Sequence, residues 1–542
     1  MKKKFLALVM TLSMVLSLVP MTALAAEEQP PAEPKQETQA DVQVGQKEPT
    51  VSVAEEEGAE DKPMVQETPA TSYAANGTAF TSDTGVKYKV TGTGEVEVTG
   101  CEDSVTKLVI PQTVFYEGVE YTVASIEEEA FDYYTFKKNN KNLQITSVDL
   151  SNASLVIGKR AFRGLSQLTE VVGMDNITEI SEAAFNGCKV LEKVSKLSSL
   201  TSIDTQAFMN CSALTNLDGI DWSSLTHIGQ EAFAAKSKST SALELELTEN
   251  TFKNLTSIGW GAFSGCSGVT GKVVFPESIT EIPNSVFSGT GITDVDFSHI
   301  TSIGNGAFKD CAGLTELKLS DSVTAIGDSA FSGTGISGEL VLPDSITKIG
   351  SSAFYNVKIT GSLVLPESLT TLGTRAFYKT EVSEVMIPGS LKIIGAYSFY
   401  QCPNLSNVVF AEGVETIGTA AFTGTQLSSL ELPNSVETIE AGAFTTCANL
   451  TSVQIGVKGE GASKLKSIGR KAFNNDTSIT YFYIEASKAN VNIPDNTATN
   501  ITIPSTVTVQ YAITSDGENI STGRETTLQE DITSAKENEE TC

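Results

Sequence analysis

Between residues 126 and 485 the apolar positions keep a fixed spacing around a repeated phenylalanine. Fifteen markers stand at Phe131, Phe162, Phe185, Phe208, Phe233, Phe263, Phe287, Phe308, Phe331, Phe354, Phe377, Phe399, Phe422, Phe444 and Phe473, mostly 21 to 25 residues apart. Five positions before each marker stands Ile, with Leu372 the one exception. The residue directly before it is Ala except at Val286 and Ser398. Between markers, Leu314-x-x-Leu317-x-Leu319 alternates toward its end as a half-buried strand does. Several copies then close with proline, at Leu342-Pro343, Leu365-Pro366, Ile387-Pro388 and Leu432-Pro433. Proline has no N–H, so a hydrogen-bonded ladder stops there. A turn such as Pro343-Asp344-Ser345 leads to a second short apolar stretch, Ile346-x-x-Ile349, then to Gly350 and a predicted single helical turn. On that turn Ala353, Phe354 and, in other copies, a Cys three residues after the Phe share one face and point inward.

Ordering about 23 residues costs roughly 1–2 kcal/mol each. Six or seven buried apolar side chains return only about 1.5–3 kcal/mol each. One copy therefore cannot fold alone, whereas stacked copies bury a continuous core. A period in the twenties with fixed apolar offsets predicts a leucine-rich-repeat solenoid, a right-handed β/α coil of parallel strands and short helical turns. With strands about 4.8 Å apart, fifteen such coils make a rod or arc about 70 Å long.

The unit Leu-x-x-Leu-x-Leu-Pro-x-Ser-Val-x-x-Ile-Gly-x-x-Ala-Phe-x-x-Cys resembles that of the BspA-like leucine-rich-repeat proteins. The resemblance covers about two thirds of the chain, counting the lead-in Leu108-Val109-Ile110-Pro111 through Tyr121-Thr122-Val123. It implies a protein secreted or displayed by a microbe and used for adhesion to host or neighbouring-cell surfaces. It brings no shared catalytic residues.

The flanking segments read differently. Residues 1–25 have the form of a secretory signal: Lys2-Lys3-Lys4, an apolar run from Phe5 to Val19, and Ala23-Leu24-Ala25 as a cleavage site. That run is too short for a typical membrane span, and no second one follows, so the mature chain is expected to carry no transmembrane span. Residues 26–72 hold twelve Asp or Glu against three Lys, with six Pro, and read as a disordered linker. Residues 73–125 alternate in Val86-Lys87-Tyr88-Lys89-Val90 and Glu95-Val96-Glu97-Val98, a β-hairpin expected to cap the first coil of the 126–485 array. In 486–542, Ile493-Pro494, Ile501-x-Ile503-Pro504 and Val507-x-Val509-x-Tyr511 suit a C-terminal cap. An acidic tail follows, and its abrupt Thr541-Cys542 end fits a truncated product.

A formal net charge of −29 excludes nucleic acid as the natural partner, since phosphate binding needs clustered Lys and Arg. The scarce positive charge gathers partly at three long intervals, in Lys137, Lys138 and Lys141, Lys236 and Lys238, and Lys458 and Lys464. Such insertions are expected to loop out on one face. Cys188, Cys211, Cys266, Cys311, Cys402 and Cys447 all fall three residues after a marker. Only the first two occupy neighbouring coils, so the other four are expected as buried thiols, with a Cys188–Cys211 bridge left open. No cofactor motif, calcium loop or Cys-x-x-Cys pair is present, and His227 and His299 are the only histidines, so zinc is excluded. Neither His has a Ser or Cys nucleophile nearby in the coil pattern, and the reading is non-enzymatic.

Two functions remain: adhesion or recognition of an extracellular protein or glycan through the solenoid face, or a structural spacer or coat component that binds nothing specific. A binder concentrates unusual residues in adjacent repeats, whereas a spacer varies at random. The strand position expected to face solvent runs Ser195, Asp218, Val274, Asp296, Lys318, Val341, Val364, Met386, Val409, Glu431, Gln454. Four consecutive apolar members, Val341, Val364, Met386 and Val409, stand bordered by Glu339, Ser362, Glu384 and Asn407. The same coils carry Tyr355, Tyr378 and Tyr400 directly after the marker. These seven residues form the candidate binding site.

Overall fold

The computed structural model describes residues 72–511 apart from 139–142, 152, 237–240, 459–462, 487–490, 495–502, 505–506 and 508. The signal, almost all of the linker, and the acidic tail lie outside the described residues. What remains is a parallel β-solenoid of about 17 turns. Fifteen carry a marker Phe, and the strands Tyr481–Ile484 and Val509–Tyr511 extend the array without one.

Each coil contributes to two parallel ladders. The longer strands pair coil to coil, as Lys358–Val364 does with Glu381–Ile387 and that strand with Asn407–Phe410. Two-residue strands ending on the repeat Ile pair on the opposite side, as in Ile326↔Ile349 and Ile349↔Leu372. Proline ends the long strands as expected: Glu381–Ile387 and Ser429–Leu432 each stop directly before one. At the N-terminus, Val86–Gly92 and Glu95–Cys101 form the expected hairpin. Its sheet continues into the array, because Val119–Ile126 pairs at its end with Val156–Ile157.

The core is a column of phenylalanines. From Phe131 to Phe473 every marker ring stacks on the next, with centroids 5.2–6.1 Å apart and planes within 2–13°. Phe354 is wholly buried.

The segment around the Phe is not a turn of α-helix but two overlapping i→i+3 turns, with Ala353 N–H on the Gly350 carbonyl and Tyr355 N–H on that of Ser352. The residue two before the marker has positive φ in all fifteen coils, from Glu129 to Lys471, and the residue two after it does so in thirteen. The alternation has a physical purpose. A helical turn would spend its N–H groups within the coil, whereas here Ser352, Phe354 and Asn356 donate along the axis to the carbonyls of Thr374, Ala376 and Tyr378. The Phe N–H makes this bond at all fourteen steps, at 2.8–3.0 Å, so the turns form a third ladder. Coils approach closely here: a Cβ on Gly350 would lie 2.5 Å from the Asp328 nitrogen.

Three residues after the marker, Sγ of each of the six repeat cysteines donates to the Phe carbonyl of the preceding coil, at 3.0–3.3 Å. Thr290, Thr334, Thr380 and Thr425 occupy the same position and donate to their own Phe carbonyl. All six cysteines are buried free thiols, which closes the question of Cys188 and Cys211. Burial pushes the Cys188, Cys266 and Cys447 thiols up to about 12, so the reactive thiolate is suppressed.

On the outer flank the exposed Thr201, Thr226, Thr324, Thr347 and Thr370 each donate Oγ1 to the carbonyl of the Thr one coil earlier. These hydroxyls lock the register of the short strands.

Left-handed backbone costs a non-glycine residue about 1–2 kcal/mol. The cost is sharpest for Thr446, which is β-branched, has φ 62° and is exposed. We expect Thr446→Gly to stabilise the surrounding coils by about 1 kcal/mol in denaturant unfolding, glycine's chain entropy offsetting part of the relieved strain. A destabilisation would contradict the turn geometry.

Candidate binding surface

The long-strand ladder brings the apolar members of the candidate site into line. Val364 pairs with Met386 and Met386 with Val409, so three of the four are neighbours by register. Gly361, at φ 75°, makes the bulge that sets this register, and the pairing shifts between it and Ser362. Val341 lies one coil earlier, beyond the short pairing of Ser337–Gly338 with Lys358–Ile359. It is 76 % exposed, against 53 % for Val364 and 39 % for Val409, with Met386 half-buried. The polar border follows the same register, Ser362 beside Glu384 and Glu384 beside Asn407, whose Nδ2 donates to Glu384 Oε1 at 2.7 Å.

Elsewhere the column departs from the expected exposure. Ser195 is 5 % exposed, not solvent-facing. Beyond Gln454 the column continues to Tyr483, also buried. The insertion after Ile455 approaches it there: Lys458 Nζ stands 5.1 Å from the Tyr483 ring centre, and Ser463 N–H bonds the Glu485 carbonyl. The three insertions do not share one face. Those carrying Lys137 and Lys236 precede the long strands Ser147–Asp149 and Leu245–Leu247, whereas the one carrying Lys458 follows Ser452–Ile455.

The tyrosines form a separate column. Tyr355 stacks on Tyr378 at 4.8 Å and Tyr378 on Tyr400 at 5.1 Å, each pair 9° from parallel. They sit on the Phe turns, at the start of the long strands, while the valines sit near the strand ends. Six steps separate Lys358 from Val364, about 20 Å at strand rise, so the two halves of the candidate site are distinct surfaces. Columns two positions either side of the Phe add Arg375, Tyr397 and Lys379 to the tyrosine edge, residues that reading the column after the Phe alone missed.

One expectation about chemistry is corrected. Coil stacking places Ser257 Oγ 2.7 Å from His227 Nδ1, although the residues lie thirty apart in sequence. The pair stands on an open strand face. The Ser257 and Gly259 amides are spent on the carbonyls of Thr226 and Ile228, so neither is free to stabilise an oxyanion. The contact is a surface hydrogen bond. Among the described residues no group of His, Cys, Asp and Glu could hold a metal ion, and no helix is long and apolar enough to cross a membrane.

A displaced titratable group with a different chemistry is Asp476, at the thiol position of the last marked coil. It is fully buried, and Oδ1 accepts from the Cys447 N–H at 2.6 Å while Oδ2 has no partner. Burial pushes its carboxyl up to about 7. Every Cys and Thr in this column donates to a Phe carbonyl, and a protonated Asp476 can donate where a carboxylate cannot.

The sequence belongs to a known family. A family model described as "BspA type Leucine rich repeat region (6 copies)" matches overlapping stretches from residue 125 to 522. The chain is therefore a member of the BspA-type leucine-rich-repeat family. No curated protein sequence matches it. Among solved structures, a leucine-rich repeat protein from Bacteroides ovatus aligns over 80 % of this chain and 99 % of its own, at 24 % identity and TM-score 0.57. A leucine-rich cell surface protein from Faecalibacterium prausnitzii aligns over 76 % and 96 %, at 21 % identity and TM-score 0.34. A leucine-rich repeat protein from Eubacterium ventriosum aligns over 83 % and 99 %, at 18 % identity and TM-score 0.33.

The Asp476 geometry has a measurable consequence. The folded carboxyl titrates near 7 and the unfolded one near 4, so the folded state holds the proton more tightly. Its contribution is fully present below about pH 4 and is lost as the pH rises through about 7. Asp476→Asn keeps a donor and removes the titration. Relative to wild type it should gain stability between pH 4 and 7, by about 2–4 kcal/mol in all, and then plateau. A constant difference across that range would contradict the buried acid.

Proposed function

We propose that the protein is exported and acts at or near the cell surface as an adhesion or recognition protein, with the long-strand face as its ligand-binding surface. The observation that carries this reading is the apolar row Val364–Met386–Val409, continued by the exposed Val341. The same column presents Asp296 and Lys318 in the two coils before this row and Glu431 and Gln454 in the two after it. Apolar side chains presented side by side to solvent, with a polar border, mark an interaction surface, and they suit an extracellular protein ligand. The Lys2-Lys3-Lys4 start and the apolar run to Val19 support export. Membership of the BspA-type family supports the surface setting.

The test replaces Val341, Val364 and Met386 together by Ser and measures adhesion to host-cell and matrix-coated surfaces, with thermal unfolding as the control. Each truncation removes an apolar contact worth about 1–2 kcal/mol in a packed interface. Adhesion is expected to fall roughly tenfold or more with the fold intact. Unchanged adhesion would remove this face from the function and favour a non-binding spacer.

A further inference from the structure

At the opposite end of the long strands, the turn edge changes character over three successive coils. Contacts link Tyr355, Tyr378, Tyr400 and Tyr397 in series, the last two tilted at 5.6 Å. Arg375 Cζ lies 5.1 Å from the Tyr397 ring centre, and Lys379 Nζ lies 5.6 Å from that of Tyr378. Both cations are exposed. Among the described residues neither forms an ion pair, whereas Lys318 and Lys392 are paired with Glu316 and Glu415. Held over rings, Arg375 and Lys379 keep their N–H donors for an anion.

We propose that this edge binds an anionic polysaccharide lying along the solenoid axis, an inference that rests on reading the protein as an extracellular recognition module. Three features point to that ligand. The first is charge: two cations without an ion pair, carried two positions either side of Phe377 on a chain of net charge −29, form a local site for a polyanion. The second is the stacking. Rings 4.8 and 5.1 Å apart cover each other's inner faces, so the column offers hydrogen-bonding phenol edges more than flat platforms for neutral sugars. The third is period. An extended peptide repeats its same-face groups about every 6.6–6.8 Å and drifts out of phase with groups one coil apart. A pyranose chain advances by close to one coil per sugar. Arg375 suits bidentate contact with a carboxylate or sulfate, and Lys379 supplies a second point charge.

The experiment uses the full chain on immobilised polygalacturonate, with dextran as the neutral polymer and polyglutamate as the peptide polyanion. Retention on polygalacturonate, weakened by salt and absent on dextran, is expected. R375Q with K379Q should weaken it roughly tenfold or more, because two charge-assisted contacts are lost. Tyr355→Phe, Tyr378→Phe and Tyr400→Phe together keep the stack, remove the hydroxyls and should weaken it further. The Val341, Val364 and Met386 serine variant should bind like wild type. No retention, retention insensitive to R375Q with K379Q, or equal affinity for polyglutamate would overturn the proposal. Loss of cell adhesion in the serine variant with no polysaccharide retention would refute this edge while leaving the long-strand face standing.

Discussion

The structure depends on how each phenylalanine turn hands its amides to the next coil. Left-handed residues either side of the Phe turn three N–H groups along the axis, and each is satisfied only if the following coil is present. The stacked rings make the same demand of the apolar core. Folding is therefore a property of neighbours: a coil contributes its burial and its hydrogen bonds only in a stack. The left-handed residue before the marker, tolerated in fifteen coils and glycine in only three, is the recurring cost of that arrangement.

This constraint determines where function can reside. Inward columns are held to Phe, to Ala and Ile with few exceptions, and in ten coils to a Cys or Thr that bonds a Phe carbonyl, so most difference between coils falls in outward columns. A binding surface on such a protein takes the form of a row, one residue per coil. The valine–methionine row and the tyrosine–cation row are two instances, at opposite ends of the same strands. The thiols belong to the scaffold, each bonding a backbone carbonyl at a buried position.

Much of this was legible in the sequence because the period exposes columns directly. The Ile and Phe spacings pointed to stacked coils with parallel strands and an inward Phe, and the prolines to strand ends, whereas the second ladder of two-residue strands and the ring stack are seen only in the structure. The turn was misread for a specific reason. Ala353, Phe354 and a Cys three positions on share a face in a helix and in two tight turns alike, and the left-handed residues before the Phe include Glu, Arg, Gln and Tyr, which carry no glycine signal. Contacts between coils were similarly hidden. The His227–Ser257 pair needs the stacking register to be seen. Asp476 becomes notable only once its position is matched with the thiols. Tyr483 lies in an outward column, and its burial beside Lys458 depends on an insertion whose path no spacing predicts.

Native-state hydrogen exchange on the wild type and on Phe354→Ala tests the stacked-turn account most directly. In wild type the amides of Ser352, Phe354 and Asn356, bonded to the next coil, should be protected like those of the strands. The substitution should cost about 3–5 kcal/mol locally and speed exchange in the flanking turns around Phe331 and Phe377, leaving those around Phe162 and Phe185 unchanged. Unprotected turn amides in wild type, or opening confined to the mutated coil, would contradict it.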